Sequence, residues 1–508
     1  MKYFFKGTQF ASNAELAALE VKQLQAKTRR EFLKQSGAMV GGTFLSSMMA
    51  SEAFASGDNP FDFSRPLSQP LAPLAPPFPA KAKRVIYMHM AGAPSQLEMF
   101  DYKPELQKYN GKLCPESFLI GKRFAFISGV PKLLGPQFPF QQAGESGAWI
   151  SDRLPHLKSH VDDICFIKSM HTDQFNHAPA QILALTGNSL PGHPSLGAWT
   201  TYGLGTMNQN LPGFVSLISG SRSPDGGKQL WGSGYLPSAY QGVKCRSQGD
   251  PVLYLSNPKS VSRPLRRHVL DALAKLNQQN YQDMGDPETL TRIAQYEMAY
   301  RMQIEASDAF NIKLESEASL EKYGAKVGEA SFANNALVAR RLAESGVRFI
   351  QLFDYDWDGH GTDDRENVAH GLAKKCKDID KPIAALLSDL KERGMLDDTL
   401  VVWGGEFGRT PMQENRGGQD NILPGRDHHP NAYTMWLAGG GVKGGYTHGE
   451  TDEMGYEINK DPVSIHDLHA TILYLLGFNH RSFTFPYQGL NQSLTSVHEA
   501  KIVSQILA

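Results

Sequence analysis

The chain has 508 residues, of which 41% are hydrophobic and 20% are charged, as is ordinary for a soluble globular protein. Its formal net charge is -1, so it lacks the basic excess that nucleic-acid binding requires, and no segment after residue 55 has the roughly 20 apolar residues of a membrane span. The four cysteines are far apart and form no metal-type pair, which argues against a disulfide framework but leaves one bridge open.

The N-terminal 55 residues have the pattern of a twin-arginine signal peptide. Residues 28–34 read TRREFLK, with Arg29 and Arg30 as the paired arginines, and a weakly apolar segment follows. The triplet AFA that ends at Ala55 is a small-x-small cleavage site. We therefore expect export by the twin-arginine machinery to the periplasm or the exterior; an ordinary amphipathic helix is the alternative. Residues 56–83, rich in Pro and Ser, are predicted to be a linker.

Residues 84–508 are predicted to form a single α/β domain. Short apolar runs alternate with helical patterns, which is typical of a mainly parallel central sheet with helices on both faces. The predicted strands are Arg84–Met90, Ile164–Lys168, Val347–Phe353, Thr399–Trp403 and Tyr433–Ala438. The predicted helices are Phe332–Ser345, Ile379–Arg393 and Ile465–Leu476, with a helical insertion at about 259–325. No internal repeat is evident.

Polar side chains follow four of these strands, at the point where each strand ends. In an open α/β sheet, functional groups gather in the loops at the carboxyl ends of the strands. The sequence therefore predicts a functional site at one edge of the sheet. The groups are Ser95 after the first strand, His171, Asn176 and His177 after the second, Asp356, Asp358 and His360 after the third, and Glu406 and Arg409 after the fourth.

The loop DYDWDGHG, residues 354–361, has the clearest metal-binding pattern. Asp358 and His360 directly follow a strand, and Asp356 has a D-x-x-x-H spacing to the same histidine. A carboxylate together with a neutral imidazole suits a divalent ion such as zinc, manganese or iron. A solvated acidic loop with an exposed histidine is the alternative.

The segment GRDHHP, residues 425–430, places three metal-competent side chains in a row: Asp427, His428 and His429. It precedes a strand instead of following one. It reaches the predicted edge only if Tyr433–Ala438 runs antiparallel, or if the loop 408–430 folds back. A surface turn with capping residues is the alternative.

Two further segments supply candidate catalytic groups. In WGGEFGRTP, Glu406 is a candidate ligand or base and Arg409 a candidate clamp for an oxyanion; a structural ion pair between them is the alternative. His177 precedes an apolar helix, at a terminus where anions bind; a structural histidine is equally compatible. Ser95 is a candidate nucleophile without a visible base, and a role as a helix cap is slightly favoured.

The order of these motifs resembles the domain-of-unknown-function 1501 family, whose members are commonly exported by the twin-arginine route. The matching segments run from about Arg84 to the end of the chain: GAPSQLEMFDYKP, H-x5-H-x8-TG, YEMAYRMQ, ARRLAESGVRFIQL, WDGHG, LDDTLVVWGGEFGRTP, GRDHHP, AGGGVKGG and SIHDLHATILYLLG. The family is similar in fold to the alkaline phosphatase and sulfatase superfamily. That resemblance implies hydrolysis of phosphate or sulfate esters at one or two metal ions.

The resemblance to that superfamily is partial at the site. Its D-x-x-x-H segment is matched by Asp356 or Asp358 with His360, and its late histidine by His428 or His429. Its Asp-His-Gly segment is replaced by Glu406-Phe407-Gly408. The nucleophilic Cys of the sulfatase signature is replaced by His177, and its Arg by Gln181. An ordinary sulfatase and a standard two-metal phosphatase are therefore both disfavoured.

We expect an exported metal-dependent hydrolase with an altered site, acting on a small-molecule or glycan ester. The alternative is a catalytically inactive binding or accessory protein for sulfated or phosphorylated glycans. The expected ion is divalent zinc, manganese, iron or calcium, and the expected catalytic groups are His177, Arg409 and Ser95. The expected ligands are Asp358, His360, Glu406 and His428, with Asp356, Asp427, His429, His171 and Asn176 as additional candidates.

Overall fold

The fold is built around a central β-sheet, as a computed structural model shows. The structure describes residue 63, residues 65–66, 69–219 and 222–246, residue 257, and residues 260–508. The predicted signal peptide lies outside these described residues, as do the first seven residues of the predicted linker. The later part of that segment, residues 69–83, lies against the domain: the amide of Leu74 donates to the Leu204 carbonyl, and that of Lys81 to the Leu475 carbonyl.

Nine strands form the central sheet. They are β1 (Arg84–Met90), β2 (Ile164–His171), β3 (Phe214–Ile218), β4 (Val243–Cys245), β5 (Phe349–Asp354), β6 (Thr399–Gly404), β7 (Tyr433–Ala438), β8 (Tyr446–His448) and β9 (Val463–Ser464). Their spatial order is β8-β2-β7-β6-β1-β5-β3-β4, and β9 also pairs with β2. Strand β7 runs antiparallel to both its neighbours, while every other pairing in this sheet is parallel.

Five of the strands were predicted, two of them with their observed ends. Strands β1 and β7 match the prediction, β2 is three residues longer and β6 one residue longer, and β5 is shifted toward its carboxyl end. Strands β4, β8 and β9 have two or three residues each, too few to show a periodicity. Strand β3 is a short, mostly apolar segment, FVSLI, which periodicity alone does not distinguish from a buried helix.

Helices cover the sheet and form the insertion. They are α1 (Gln96–Met99), α2 (Pro104–Lys108), α3 (Glu116–Leu119), α4 (His177–Thr186), α5 (Leu196–Leu204), α6 (Arg263–Met284), α7 (Pro287–Ala309), α8 (Glu317–Tyr323), α9 (Phe332–Glu344), α10 (His370–Glu392) and α11 (Ile465–Leu475). The predicted start of α10 at Ile379 is wrong by nine residues. Proline is typical of a first helical turn, but Pro382 lies inside this helix.

Both faces of the sheet are buried. Alternate residues of a strand point to opposite faces, and in β1 Ile86 and Met88 pack in the hydrophobic cluster of α9 and α10, whereas Val85 and Tyr87 pack in the cluster of α5 and α11. The predicted fold class, a mainly parallel sheet with helices on both faces and a helical insertion, is confirmed. Within the described part of the chain, no helix has the length and apolar character to cross a membrane.

Candidate metal centre

Four side chains meet at the carboxyl edge of the sheet: His177, Asp358, His360 and His428. One ligand atom from each lies within 4.8 Å of the ligand atoms of the other three. The Nε2 atoms of His177, His360 and His428 lie 3.3, 2.9 and 3.4 Å from Oδ1 of Asp358. Three imidazole nitrogens therefore surround one carboxylate oxygen.

The four residues lie in segments that follow three strands of the sheet. His177 begins α4 shortly after β2, and Asp358 and His360 lie in the loop after β5. His428 belongs to a short antiparallel ribbon in which it pairs with Arg409, after β6. Because β7 is antiparallel, the connection from β6 to β7 leaves and re-enters the sheet at one edge. The sequence predicted that GRDHHP reaches this edge if Tyr433–Ala438 runs antiparallel, and the direction of β7 meets that condition.

Each of the three imidazoles is oriented by an acceptor on its second nitrogen. Nδ1 of His177 lies 2.7 Å from Oε1 of Glu406, and Nδ1 of His428 lies 2.7 Å from the carbonyl oxygen of Phe175. Nδ1 of His360 contacts Oε2 of Glu414. These acceptors favour a proton on Nδ1, which leaves the lone pair of Nε2 directed at the cluster. Metal-binding histidines in proteins have this same arrangement.

Arg409 holds the ligand loops together. Its side chain is fully buried, and its guanidinium donates to the carbonyls of Ala93 and Gly92 at 2.9 and 2.6 Å and to that of Arg426 at 3.1 Å. It also donates to Oδ1 of Asp358 at 2.5 Å. Arg409, predicted as an oxyanion clamp, is thus engaged in positioning Asp358 and does not reach solvent.

Close backbone approach at the centre requires glycine at two positions. Gly92 has φ +108, and a Cβ there would lie 2.8 Å from the amide nitrogen of Asp358. A Cβ at Gly425 would lie 1.9 Å from the carbonyl oxygen of His360. Any larger residue would displace the loop that carries two of the four ligands.

Burial and mutual contact shift the pKa values at the centre in opposite directions. Burial raises the pKa of Asp358, but Arg409 and the three imidazoles outweigh it and hold that pKa well below its usual range. Burial lowers the pKa of His177, but Asp358 and Glu406 outweigh it and raise the pKa to about 9. Burial, and then the charge of Arg409, lowers the pKa of His428 to about 3. Without a metal, His177 is therefore doubly protonated and cationic at neutral pH, and an ion would have to displace the proton on its Nε2.

The donor set fits a divalent transition-metal ion. Three imidazole nitrogens and one carboxylate suit zinc, manganese or iron. Calcium prefers six to eight oxygen ligands, so of the four predicted ions it fits these residues least. Four protein ligands complete a tetrahedron, the usual coordination of structural zinc, whereas manganese or iron with higher coordination would keep positions open for water or substrate.

Glu406, predicted as a ligand, lies behind His177 and is not one of the four clustered residues. Its side chain is fully buried. Oε1 accepts hydrogen bonds at 2.9 Å from the amide of Gly92 and from Nε2 of Gln181, besides its contact with His177. Oε2 lies 3.3 Å from Nε2 of His89. The structure thus places His177, predicted as a catalytic group, in the cluster, with Glu406 as the acceptor that orients it.

The other candidate residues of the GRDHHP and D-x-x-x-H segments are not among the four clustered residues, although Asp427 accepts from the amide of His428 at 2.8 Å. Asp427 accepts from the amides of Phe126 and Ile127 at 2.7 and 3.0 Å, and so anchors that segment. Nε2 of His429 is 2.6 Å from the carbonyl oxygen of Tyr456, and burial lowers the pKa of His429 to about 4. Asp356 points away, with Oδ1 3.4 Å from Arg222.

For the remaining candidates, no hydrogen bond or ion pair joins the side chain to the four clustered side chains among the described residues. His171 is the last residue of β2, beside Ser464 in β9. Asn176 precedes α4 and is exposed, without a side-chain capping bond. Ser95 precedes α1 and is buried, and its hydroxyl has no hydrogen-bond partner among the described residues. A buried hydroxyl without a base is poorly placed for nucleophilic attack.

Among the residues that sequence analysis missed, the side chains of Glu414 and Phe126 contact the site histidines. Glu414 orients His360, and the ring of Phe126 lies edge-on, 5.3 Å from the rings of both His360 and His428. Glu414 belongs to no motif. Phe126 is more than 200 positions from both partners in the chain, so neither residue gave a local signal.

Comparison with known proteins identifies the family. Residues 82–507 match the family model described as "Protein of unknown function (DUF1501)". The chain belongs to the DUF1501 family. The resemblance carried by the sequence motifs is thereby confirmed, and the four clustered residues of this DUF1501 member all lie inside the matched range.

Several solved structures are similar to this DUF1501 chain at low sequence identity. A protein in the alkaline phosphatase superfamily from Vibrio parahaemolyticus is 11% identical with a TM-score of 0.35, and the match covers 84% of this chain and 78% of that one. A sulfatase from Pseudoalteromonas sp. is 11% identical with a TM-score of 0.34, covering 83% and 73%. A phosphonate monoester hydrolase from Silicibacter pomeroyi is 12% identical with a TM-score of 0.32, covering 70% and 71%. No curated protein sequence matches the chain.

Proposed function

We propose that the chain is an exported metal-dependent hydrolase of phosphate or sulfate esters. The observation that carries the proposal is the convergence of Asp358 Oδ1 with three Nε2 atoms whose rings are each held by an acceptor at Nδ1. Metal-binding histidines almost always donate their other ring nitrogen to such an acceptor. The ion would be zinc, manganese or iron.

The chain's own residues support substrate entry on one side of the centre. The side chain of Asp358 is 25% exposed, whereas those of His360 and His428 are 7% and 4% exposed. The buried ring of Phe407 packs against two of the imidazoles, 4.9 Å from His177 and 4.6 Å from His428. An ester would therefore approach past Asp358. A bound divalent ion would supply Lewis-acid polarisation of the ester and acidification of water.

A second function, binding without catalysis, is favoured by a specific observation. Ser95 is buried and Arg409 is committed to internal carbonyls, so neither is available as a nucleophile or an anion clamp. Four protein ligands also complete a tetrahedral ion without an open position. We place the hydrolase first, because His177, which stands at the position of the nucleophile in the sulfatase signature, is itself one of the four clustered residues.

Metal content tests the centre directly. Mass spectrometry of the exported protein should find about one ion per chain in the wild type, the expectation for one four-ligand site. His360→Ala should lose most of it. His268→Ala, in which an exposed histidine of α6 is removed, should retain it. Equal, substoichiometric metal in all three proteins would refute the metal centre.

Turnover then separates the two functions. Aryl phosphate and aryl sulfate esters should be screened with zinc, manganese and iron added in turn. Turnover that Asp358→Asn abolishes would establish the hydrolase. Stoichiometric metal without turnover of any ester would favour the binding protein.

Export is tested separately from the site. Fractionation should find the wild-type chain outside the cytoplasm, and the paired substitution Arg29→Lys with Arg30→Lys should retain it inside, because the export machinery reads the arginine pair. Export that is unaffected by the paired substitution would refute the twin-arginine route.

A further inference from the structure

The first strand of the sheet carries a buried histidine that packing alone does not explain. His89 lies near the end of β1 and is fully buried. Neither of its ring nitrogens has a hydrogen-bond partner among the described residues. A buried polar group without a partner destabilises a fold, whereas an apolar side chain of similar size would not. Stability therefore does not account for a histidine at this position.

His89 faces Glu406, the acceptor that orients the clustered residue His177. Nε2 of His89 lies 3.3 Å from Oε2 of Glu406, and both side chains are fully buried. Oε1 of Glu406 is already shared by the amide of Gly92, Nε2 of Gln181 and Nδ1 of His177. Oε2 makes no hydrogen bond with the described residues. His89 is therefore placed to direct a ring N–H at the free oxygen of this carboxylate.

The surroundings of this contact are buried and offer the carboxylate no other donor at Oε2 among the described residues. Tyr87, on the same face of β1, and Tyr433 of β7 are buried, and neither hydroxyl has a hydrogen-bond partner there. Burial, and then the charge of Glu406, raises the pKa of Tyr87 above its usual value. The ring of Phe353 lies edge-on, 5.7 Å from that of His89. In such a water-poor interior, a dipole directed at a carboxylate has a stronger effect than it has in water.

The contact between His89 and Glu406 continues to the metal centre through His177. Oε1 of Glu406 lies 2.7 Å from Nδ1 of His177, whose Nε2 lies 3.3 Å from Oδ1 of Asp358. The two oxygens of a carboxylate move together. A small rotation of the Glu406 carboxylate about its Cγ–Cδ bond would therefore move Oε1 out of line with the His177 ring, and a donor at Oε2 opposes that rotation.

We propose that His89 is a positioning residue of the metal centre, which fixes Glu406 and, through it, the orientation of His177. The proposal rests on the metal-binding part of the proposed function. It needs no turnover, so it applies equally to a hydrolase and to a binding protein. A neutral imidazole with its proton on Nε2 is sufficient for this role. Because His89 touches neither the ion nor a substrate, its effect is on metal affinity.

Zinc affinity, measured by competition with a chromophoric chelator, tests the proposal. His89→Leu removes the donor with little change in volume and should weaken zinc binding about three- to tenfold, less than the factor of about 10 to 100 typical of a direct partner of a metal ligand. His89→Gln, whose amide nitrogen can take the place of Nε2, should keep the wild-type affinity.

His469→Leu is the matched control. His469 of α11 is also fully buried, and its Nε2 lies 2.8 Å from the carbonyl oxygen of Ala184. It is not one of the four clustered residues. Its replacement should lower thermal stability and leave zinc affinity unchanged, because a buried polar contact is lost without any contact to Glu406.

A double-mutant cycle tests whether His89 acts through Glu406. In the Glu406→Gln background the carboxylate is absent, so His89→Leu should cause little further loss of zinc affinity. Two residues that act independently would instead show the full loss again.

Wild-type zinc affinity in His89→Leu, an equal loss in His469→Leu, or an undiminished further loss in the Glu406→Gln background would overturn the proposal. Thermal unfolding checks that each variant folds, and His89→Met, whose flexible side chain fills irregular gaps, replaces His89→Leu if that variant is unfolded. Absence of zinc binding in the wild type would refute the metal centre and this proposal together. Zinc binding that His89→Leu leaves unchanged would refute this proposal alone.

Discussion

Replacing Glu414 with glutamine isolates the effect of an acceptor that orients a ligand. Glu414 is fully buried and accepts from Nδ1 of His360, and its other oxygen is 2.7 Å from Nε of Arg416. Glutamine has nearly the same shape and keeps an acceptor oxygen, so Glu414→Gln removes the charge while preserving the packing. The variant should fold, and its histidine should be a weaker base toward an ion.

The expected magnitude follows from this geometry. Outer partners of metal ligands typically contribute a factor of about 10 to 100 in metal affinity, or about 1.4 to 2.8 kcal/mol. Arg416 already neutralises part of the Glu414 charge, although its side chain is 48% exposed, so exposure to water weakens that effect. We therefore expect a loss near the lower limit, about tenfold.

Competition with a chromophoric zinc chelator at fixed pH measures the dissociation constant. Arg416→Gln serves as the matched control: it removes the other partner of Glu414, so its affinity should be unchanged or slightly higher. A wild-type dissociation constant in Glu414→Gln would refute the assignment of Glu414 as a positioning residue for a metal ligand. Equal weakening of zinc binding in both variants would show that the Glu414–Arg416 ion pair, and not the contact of Glu414 with His360, determines the metal affinity.

Three further predictions concern pH, a buried ion pair and a glycine. Because the pKa of His177 is raised from 6.5 to about 9, the free energy of unfolding of the metal-free protein should fall between these pH values, by up to about 3 kcal/mol, and metal affinity should rise over the same interval. Glu98→Gln leaves the fully buried Arg426 unpaired and should destabilise the protein by about 3 to 5 kcal/mol in urea unfolding. Gly92→Ala should displace Asp358 and abolish stoichiometric metal binding.

Each of these predictions has a control. Saturating zinc should remove the fall in stability between pH 6.5 and 9, and a metal affinity that does not change with pH would contradict the role of His177. Glu105→Gln breaks an exposed ion pair and should cost less than about 1 kcal/mol; a similar cost for Glu98→Gln would contradict its buried pairing. Gly192 has a comparable positive φ of +101, with open space where a Cβ would lie, so equal metal loss in Gly192→Ala and Gly92→Ala would implicate backbone strain alone.

The part of the centre that could be predicted consists of the residues that directly follow a predicted strand. Asp358 and His360 follow β5 immediately, so the alternation of strand and loop placed them at the carboxyl edge. His428 needed one further fact, the direction of β7, which the sequence left open. That direction depends on pairing between β7 and distant strands, and no local signal encodes it.

What could not be predicted depends on contacts between residues distant in sequence. Glu406 and His177 are both polar groups at the same edge, and only the packing of α4 decides which of them faces the cluster. Glu98, another carboxylate in the segment after β1, is paired internally with Arg426. The same residue types serve binding in one place and internal pairing in the other, so composition could not separate them.

The origin of the four ligands in distant parts of the chain has a consequence for metal supply. Asp358 lies 181 positions after His177, and His428 lies 68 positions after His360. An unfolded chain cannot hold these donors together, because closing such loops costs entropy that only the assembled strands offset. An ion held by all four donors would therefore be acquired after folding. If the chain folds before the proposed export and loads its ion at that stage, the metal that it carries is selected by the free-ion concentrations of the cytoplasm, and not by those of the compartment in which it acts.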